Sequence, residues 1–161
     1  MKKFIPVLAI AVLLFASCGD NAKKEKSVKI GIAKIVQHPA LDDIEKGVID
    51  VLNENNIKAE YDLQNANGDV NTAMQIANQY KVKKVDVAVG IATPVAVALA
   101  TTLKDIPVVF GTVTDPLGAG LVDTLEHGKN NVTGMSDAIP TVEHIKMFAN
   151  IAGIKTLGYI Y

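Results

Sequence analysis

Between Val85 and Leu103 the chain runs VDVAVG, breaks at Gly90, and resumes after Thr93-Pro94 as the small-residue stretch PVAVALATTL. An apolar strand, a tight turn and an immediate helix start form the repeating unit of a parallel α/β sheet. The helix start has chemical value. Its first backbone N–H groups lack partners within the helix, and the dipole places positive charge there, at the carboxyl edge of the sheet. An anion can bind at such a point without a basic side chain. The next unit, IPVVFGTVTDP at Ile106–Pro116, repeats the plan and ends in Thr114-Asp115-Pro116. A seat for a carboxylate and a carboxylate for an ammonium then stand on neighbouring loops. That pair suits a zwitterion.

The rest of the chain alternates in the same way. VKIGIAKIV, Val28–Val36, reads as a buried strand, and after His38-Pro39 the residues Leu41, Ile44, Val48, Val51 and Leu52 fall at helical spacing. Asn55-Asn56 end that helix, and Ile57–Leu63 alternates like an edge strand. Asn65–Asp69 is turn chemistry, with Asp69 the expected cap of a helix running to about Val82. Strands are expected at Val85–Val89 and Val108–Gly111, with the helix Pro94–Leu103 between them and packed on the sheet as core. A short fifth strand follows at Asn131–Met135. Thr141–Ala152 reads as a helix with Ile145, Phe148 and Ile151 on one face, and Lys155–Tyr161 as a last strand. Such βα units with short turns predict a doubly wound parallel sheet of order 2-1-3-4-5 with right-handed crossovers. The switch point then falls between the first and third strands, faced by the loops Val36–Leu41, Ile91–Pro94 and Thr114–Gly118.

Ahead of this fold, Lys2-Lys3 precede the apolar run Phe4–Ala16, and small residues lead into Cys18, the plan of a secretory signal over residues 1–17. The run is shorter than the roughly 20 apolar residues of a membrane span. Leu14-Phe15-Ala16-Ser17-Cys18 resembles a bacterial lipobox, which implies acylation of Cys18; ordinary signal cleavage is the alternative. Cys18 is the only cysteine, so no disulfide can form within the chain. The polar run to Lys26 reads as a tether, so residues 18–27 carry the anchor and the fold begins at about Ser27.

With 161 residues, 49% of them apolar, and a net charge of −1, the chain reads as one globular domain with no footprint for nucleic acid. The absence of tryptophan argues further against stacking platforms for single strands. No nucleophile elbow, phosphate-binding GK[ST] or cysteine–histidine metal spacing is present, so no enzyme, metal or cofactor is expected. GTVTDPLGAG spaces its glycines wrongly for a dinucleotide fingerprint.

The segments KIGIAKIVQHPALD, QNANGD, GIATP, IPVVFGTVTDPLGAGLV, NVTGMSD and KTLGYIY follow in order. Together they resemble the amino-terminal half of the ABC-transporter substrate-binding proteins of the tryptophan/tyrosine-binding type. These are type I periplasmic-binding folds of two α/β lobes. The resemblance implies that residues 28–135 form a first lobe. Residues 136–161 would be a crossover helix and the first strand of a second, missing lobe, as in a truncated chain. It also implies that the H-P-A-L loop with Gln37 and His38 lines the cleft.

The candidate ligand residues are then Gln37, His38, Ala92, Thr93, Pro94, Thr114, Asp115 and Ser136. Each has a structural alternative. Thr93 is expected to cap its helix whatever else it does, Asp115 to close an Asx-type turn, and His38 to be a surface histidine. Ser136 and Asp137 stand where hinge and ligand roles compete, with hinge favoured for Asp137. The expected function is an extracytoplasmic, lipid-anchored binding protein of an ABC importer. Its partners would be an amino acid, perceived as aromatic from the resemblance, and a membrane permease. A ligand-sensing ectodomain or a non-functional lobe is the alternative.

Overall fold

VKIGIAK and VAVGI are apolar at almost every position, as strands covered on both faces must be. In the computed structural model, which describes residues 27–158, they lie at the centre of a five-stranded parallel sheet. The elements are β1 (Val28–Lys34), α1 (Pro39–Glu54), β2 (Ala59–Asn65), α2 (Val70–Lys83), β3 (Val87–Ile91), α3 (Thr93–Thr102), β4 (Val108–Val113), β5 (Val132–Ser136) and α4 (Thr141–Ala152). The strand order is β2-β1-β3-β4-β5, as the sequence predicts. Register aligns Ile32 with Val89 and Ile91 with Gly111, so all carboxyl ends meet at one edge. The signal-like run, Cys18 and the tether lie outside the described residues.

The two faces of the sheet are covered by different helices. α2 and α3 close one face, where Ala73, Ile76, Tyr80, Val95 and Leu99 join the main core. α1 covers the other, setting Leu41, Ile44, Val48 and Leu52 against Ile30, Ile32, Val89 and Ile91. Val51, expected on that buried stripe, is instead 56% exposed. α1 reaches β4 only at its edge, where Ile44 lies over Gly111, and Val109 remains exposed. α3 comes unusually close to the sheet: a Cβ on Gly90 would stand 2.9 Å from the Ala96 backbone. Alanine and valine along α3 permit that approach.

Capping follows the sequence at α2, where the Asp69 carboxylate accepts from the N–H groups of Asn71 (2.9 Å) and Thr72 (3.3 Å). Two expectations fail further along. The strand expected from Lys155 is absent over residues 155–158, and residues 159–161 lie outside the described part. A strand needs a neighbour to receive its backbone groups, and no described strand is placed to offer one. α4 forms where expected, but among the described residues its apolar face is left uncovered: Ile145, Phe148 and Ile151 are all exposed. Amphipathic spacing specifies a helix without specifying what it rests on.

Candidate functional site

The chain passes from β3 to α3 through a single residue. Ala92 donates its N–H to the Gly111 carbonyl (3.0 Å) and holds φ 80°, ψ 152°, a region that side chains otherwise leave to glycine. So abrupt a turn makes Thr93 the first helical residue and Ala92 the cap position, with no side-chain capping bond. The expected Thr93 cap is therefore absent, because a residue already inside the helix cannot reach back to the next N–H groups. Pro94 follows in the first turn, where its missing N–H costs nothing. The N–H groups of Thr93 and Val95 find no acceptor among the described residues. They are left for an anion.

One strand away the backbone is strained again. Thr112 holds φ 56° at an irregularity in the β4–β5 pairing between Phe110 and Val113. For a β-branched residue that is an outlier. Its hydroxyl is buried and unpartnered. Since Ile91 pairs with Gly111, Ala92 and Thr112 are neighbours across the ladder. Strain of this kind, of order 1–3 kcal/mol per residue, gathers at ligand sites and switch points.

Beyond Thr112 the ends of β4 and β5 are tied together. The Thr114 hydroxyl donates to the Asp137 carboxylate (3.1 Å), and Ser136 Oγ donates to the Thr114 carbonyl (3.3 Å) while accepting from the Ala138 N–H (3.1 Å). The Asp137 N–H reaches the Val113 carbonyl (3.3 Å). Asp115 turns the other way. Its Oδ1 accepts from the Gly118 N–H (2.8 Å), and a Cβ on Gly118 would collide with its carboxylate, so this side chain closes its own Asx-type turn.

His38 is the cap of α1, its Nδ1 accepting from the Ala40 N–H at 3.2 Å, and with Gln37 it is exposed in the β1–α1 turn. The sequence places this loop near the switch point but does not reveal the capping role. Beneath it Lys34, last in β1, is gripped by Asp42 (2.6 Å) and Glu45 (3.1 Å). The hydrogen bond to Asp42 foremost, against a smaller opposing effect of burial, holds its ammonium above the usual lysine range. Its charge is thereby spent on α1. Of the two lysines in the apolar run VKIGIAKIV, Lys34 is the one at the carboxyl end of the strand, and that place is the signal that could have flagged this pair.

Thr112, Ser136 and Asp137 also border a cavity of about 440 Å³ over β4 and β5, floored by Val109 and Met135. The edge thus joins free N–H groups on α3, the hydroxyls of Thr112, Thr114 and Ser136, and the Asp137 carboxylate at the ends of three adjacent strands. No group of three or more His, Cys, Asp or Glu among the described residues is placed to hold a metal. Such an arrangement is equipped to hold a small dipolar molecule.

A parallel α/β lobe with its polar groups gathered at the carboxyl edge is the scaffold of a solute-binding protein, and the comparisons agree. Residues 29–161 match the family model described as ABC transporter substrate binding protein, and the chain belongs to that family. Among curated relatives, a tyrosine-binding protein of Clostridioides difficile (strain R20291) is 36% identical over 99% of this chain and 52% of its own length. Among solved structures, a conserved domain protein from Vibrio cholerae superposes with TM-score 0.76 at 42% identity, covering 80% of this chain and 45% of that one. An ABC domain from Streptococcus pneumonia in complex with L-Trp gives TM-score 0.72 at 38% identity, over 77% and 43% of the two chains. A ligand-free, open substrate-binding protein with adhesive properties from Clostridium difficile gives 0.70 at 40%, over 76% and 44%. The chain spans about half the length of the curated relative it matches.

Proposed function

We propose that this chain is the first lobe of an extracytoplasmic binding protein serving an ABC importer, and that it takes an aromatic amino acid. The observation that carries the reading is the start of α3, where Thr93 and Val95 offer unpartnered N–H groups to a carboxylate. The ends of β4 and β5, with Thr114, Ser136 and Asp137, face the ammonium end, while Asp115, the residue expected there, is held in its own turn by the Gly118 N–H. Ala92 and Pro94 shape the turn that presents the N–H groups, and Gln37 and His38 flank the crevice from β1. The name of the Clostridioides relative and the L-Trp in the Streptococcus structure support an aromatic ligand. In this reading residues 28–135 are one lobe and residues 136–161 lead into a second that closes over the side chain. Closure is the state that a membrane permease would recognise. Residues 1–17 export the chain and an acylated Cys18 tethers it to the cell envelope.

The test is calorimetric titration of the full chain with L-tryptophan, L-tyrosine and tryptamine. Saturable binding of the amino acids and none of the decarboxylated amine supports the α3 seat. Equal binding of tryptamine, or no binding of either amino acid, overturns it.

A further inference from the structure

We propose that Asp137, rather than Asp115, is the carboxylate that receives the ligand's ammonium group. This rests on the amino-acid reading above and adds the identity of its cation seat. By sequence Asp115 is the natural choice, lying next to Thr114 in the loop that follows β4. In the structure it is occupied with its own turn, one oxygen on the Gly118 N–H and the carboxylate packed where a Gly118 side chain would be. To take an ammonium it would have to abandon that turn.

Asp137 is placed oppositely. Its backbone is pinned to β4 by the N–H bond to the Val113 carbonyl, and Oδ1 accepts the Thr114 hydroxyl. Oδ2 has no partner among the described residues, and no described Lys or His lies within ion-pair distance. An oriented carboxylate with a vacant oxygen and no counter-charge is suited to a charge-assisted bond from an ammonium. Among the described residues it is also the only charged one bordering the apolar cavity over β4 and β5, beside the unpartnered Thr112 hydroxyl.

The spacing agrees. β3 and β5 are separated by one strand, so their ends stand about 10 Å apart. Two hydrogen bonds of about 2.9 Å and the ligand's own backbone span most of that distance. Asp137 leans toward β4 to meet Thr114, which shortens the remainder. A single amino acid can then bridge from the α3 start to Asp137.

The test compares L-tryptophan with indole-3-propionate, the same molecule without its ammonium, titrated into the full chain by ligand-observed NMR. Asp137→Asn keeps an acceptor for Thr114 and should melt with the parent chain. It should lose about tenfold or more of its affinity for L-tryptophan and leave indole-3-propionate unchanged, as expected when a charge-assisted bond becomes neutral. Asp115→Asn should shift neither ligand by more than about twofold. The assignment is overturned if Asp137→Asn keeps the parent's preference for L-tryptophan, if both ligands weaken equally, or if Asp115→Asn takes the loss. Failure of the parent chain to bind either ligand overturns the amino-acid reading itself; parent binding with an unchanged Asp137→Asn overturns only this assignment.

Discussion

On the face covered by α2 and α3, the side chains of Ala73, Ile76, Tyr80, Val95 and Leu99 are 3% exposed or less, whereas over β4 and β5 Val109 remains 37% and Met135 75% exposed. The same strands thus carry a finished core on one side and an open apolar surface on the other. At roughly 25 cal/mol per Å² of buried apolar surface, the closed face supplies most of the stabilisation. The open face contributes little to folding and is available for contact. The candidate site sits at the border of the two, with its α3 wall anchored in the core and its β5 wall on the open surface. Rigidity is therefore unevenly shared within one site.

The largest expected effect is on the closed face. Leu99→Ala should cost about 2–5 kcal/mol by denaturant unfolding, and Val109→Ala under about 1. Similar losses at both would mean that the open face is covered in solution, and the contrast would fail. Next, Ala92→Gly should stabilise the chain by about 1 kcal/mol, because glycine occupies that backbone region freely and the relief exceeds its entropic cost. A destabilised variant would show that Ala92 is not strained.

Asp69 gives a smaller, pH-dependent effect. The backbone N–H of Asn71 first, and then the Thr72 hydroxyl, hold its carboxyl below the usual range. A folded-state pKa below the unfolded one adds stability above the unfolded value, about 3.9, that is lost as pH falls through the folded one. Asp69→Ala should lower the melting temperature by a few degrees at neutral pH and by progressively less below about pH 4. A constant difference across that range would exclude this linkage. The smallest effect belongs to Met135→Gln on the open face, within about 0.5 kcal/mol of the parent chain in the same assay.

The sheet was legible because its strands are apolar runs punctuated by turn residues, and Asn65–Asp69 and Asn55 ended their elements where expected. Strand limits moved by a few residues, as at β3, since burial continues through Gly90 and Ile91 beyond the run of valines. The site was legible as a place rather than as a set of roles. Its loops follow from strand order, but the turn at Ala92 takes one residue, and that displaced the cap expected of Thr93. The fate of Asp115 depends on how its carboxylate folds onto Gly118, and the importance of Asp137 on a neighbour 23 residues away. Periodicity carries no such information. Nor could it say that Ile145, Phe148 and Ile151 on α4 stay uncovered by the described residues.

The close seating of α3 against Gly90 bears on how quickly a solute could be captured. A helix held this near the strand has its end fixed before anything arrives, so no segment there must be ordered on encounter, and little conformational entropy is lost in making those contacts. Arrival at this wall would then be governed by diffusion and orientation. Differences among similar solutes would appear chiefly in how long each one stays.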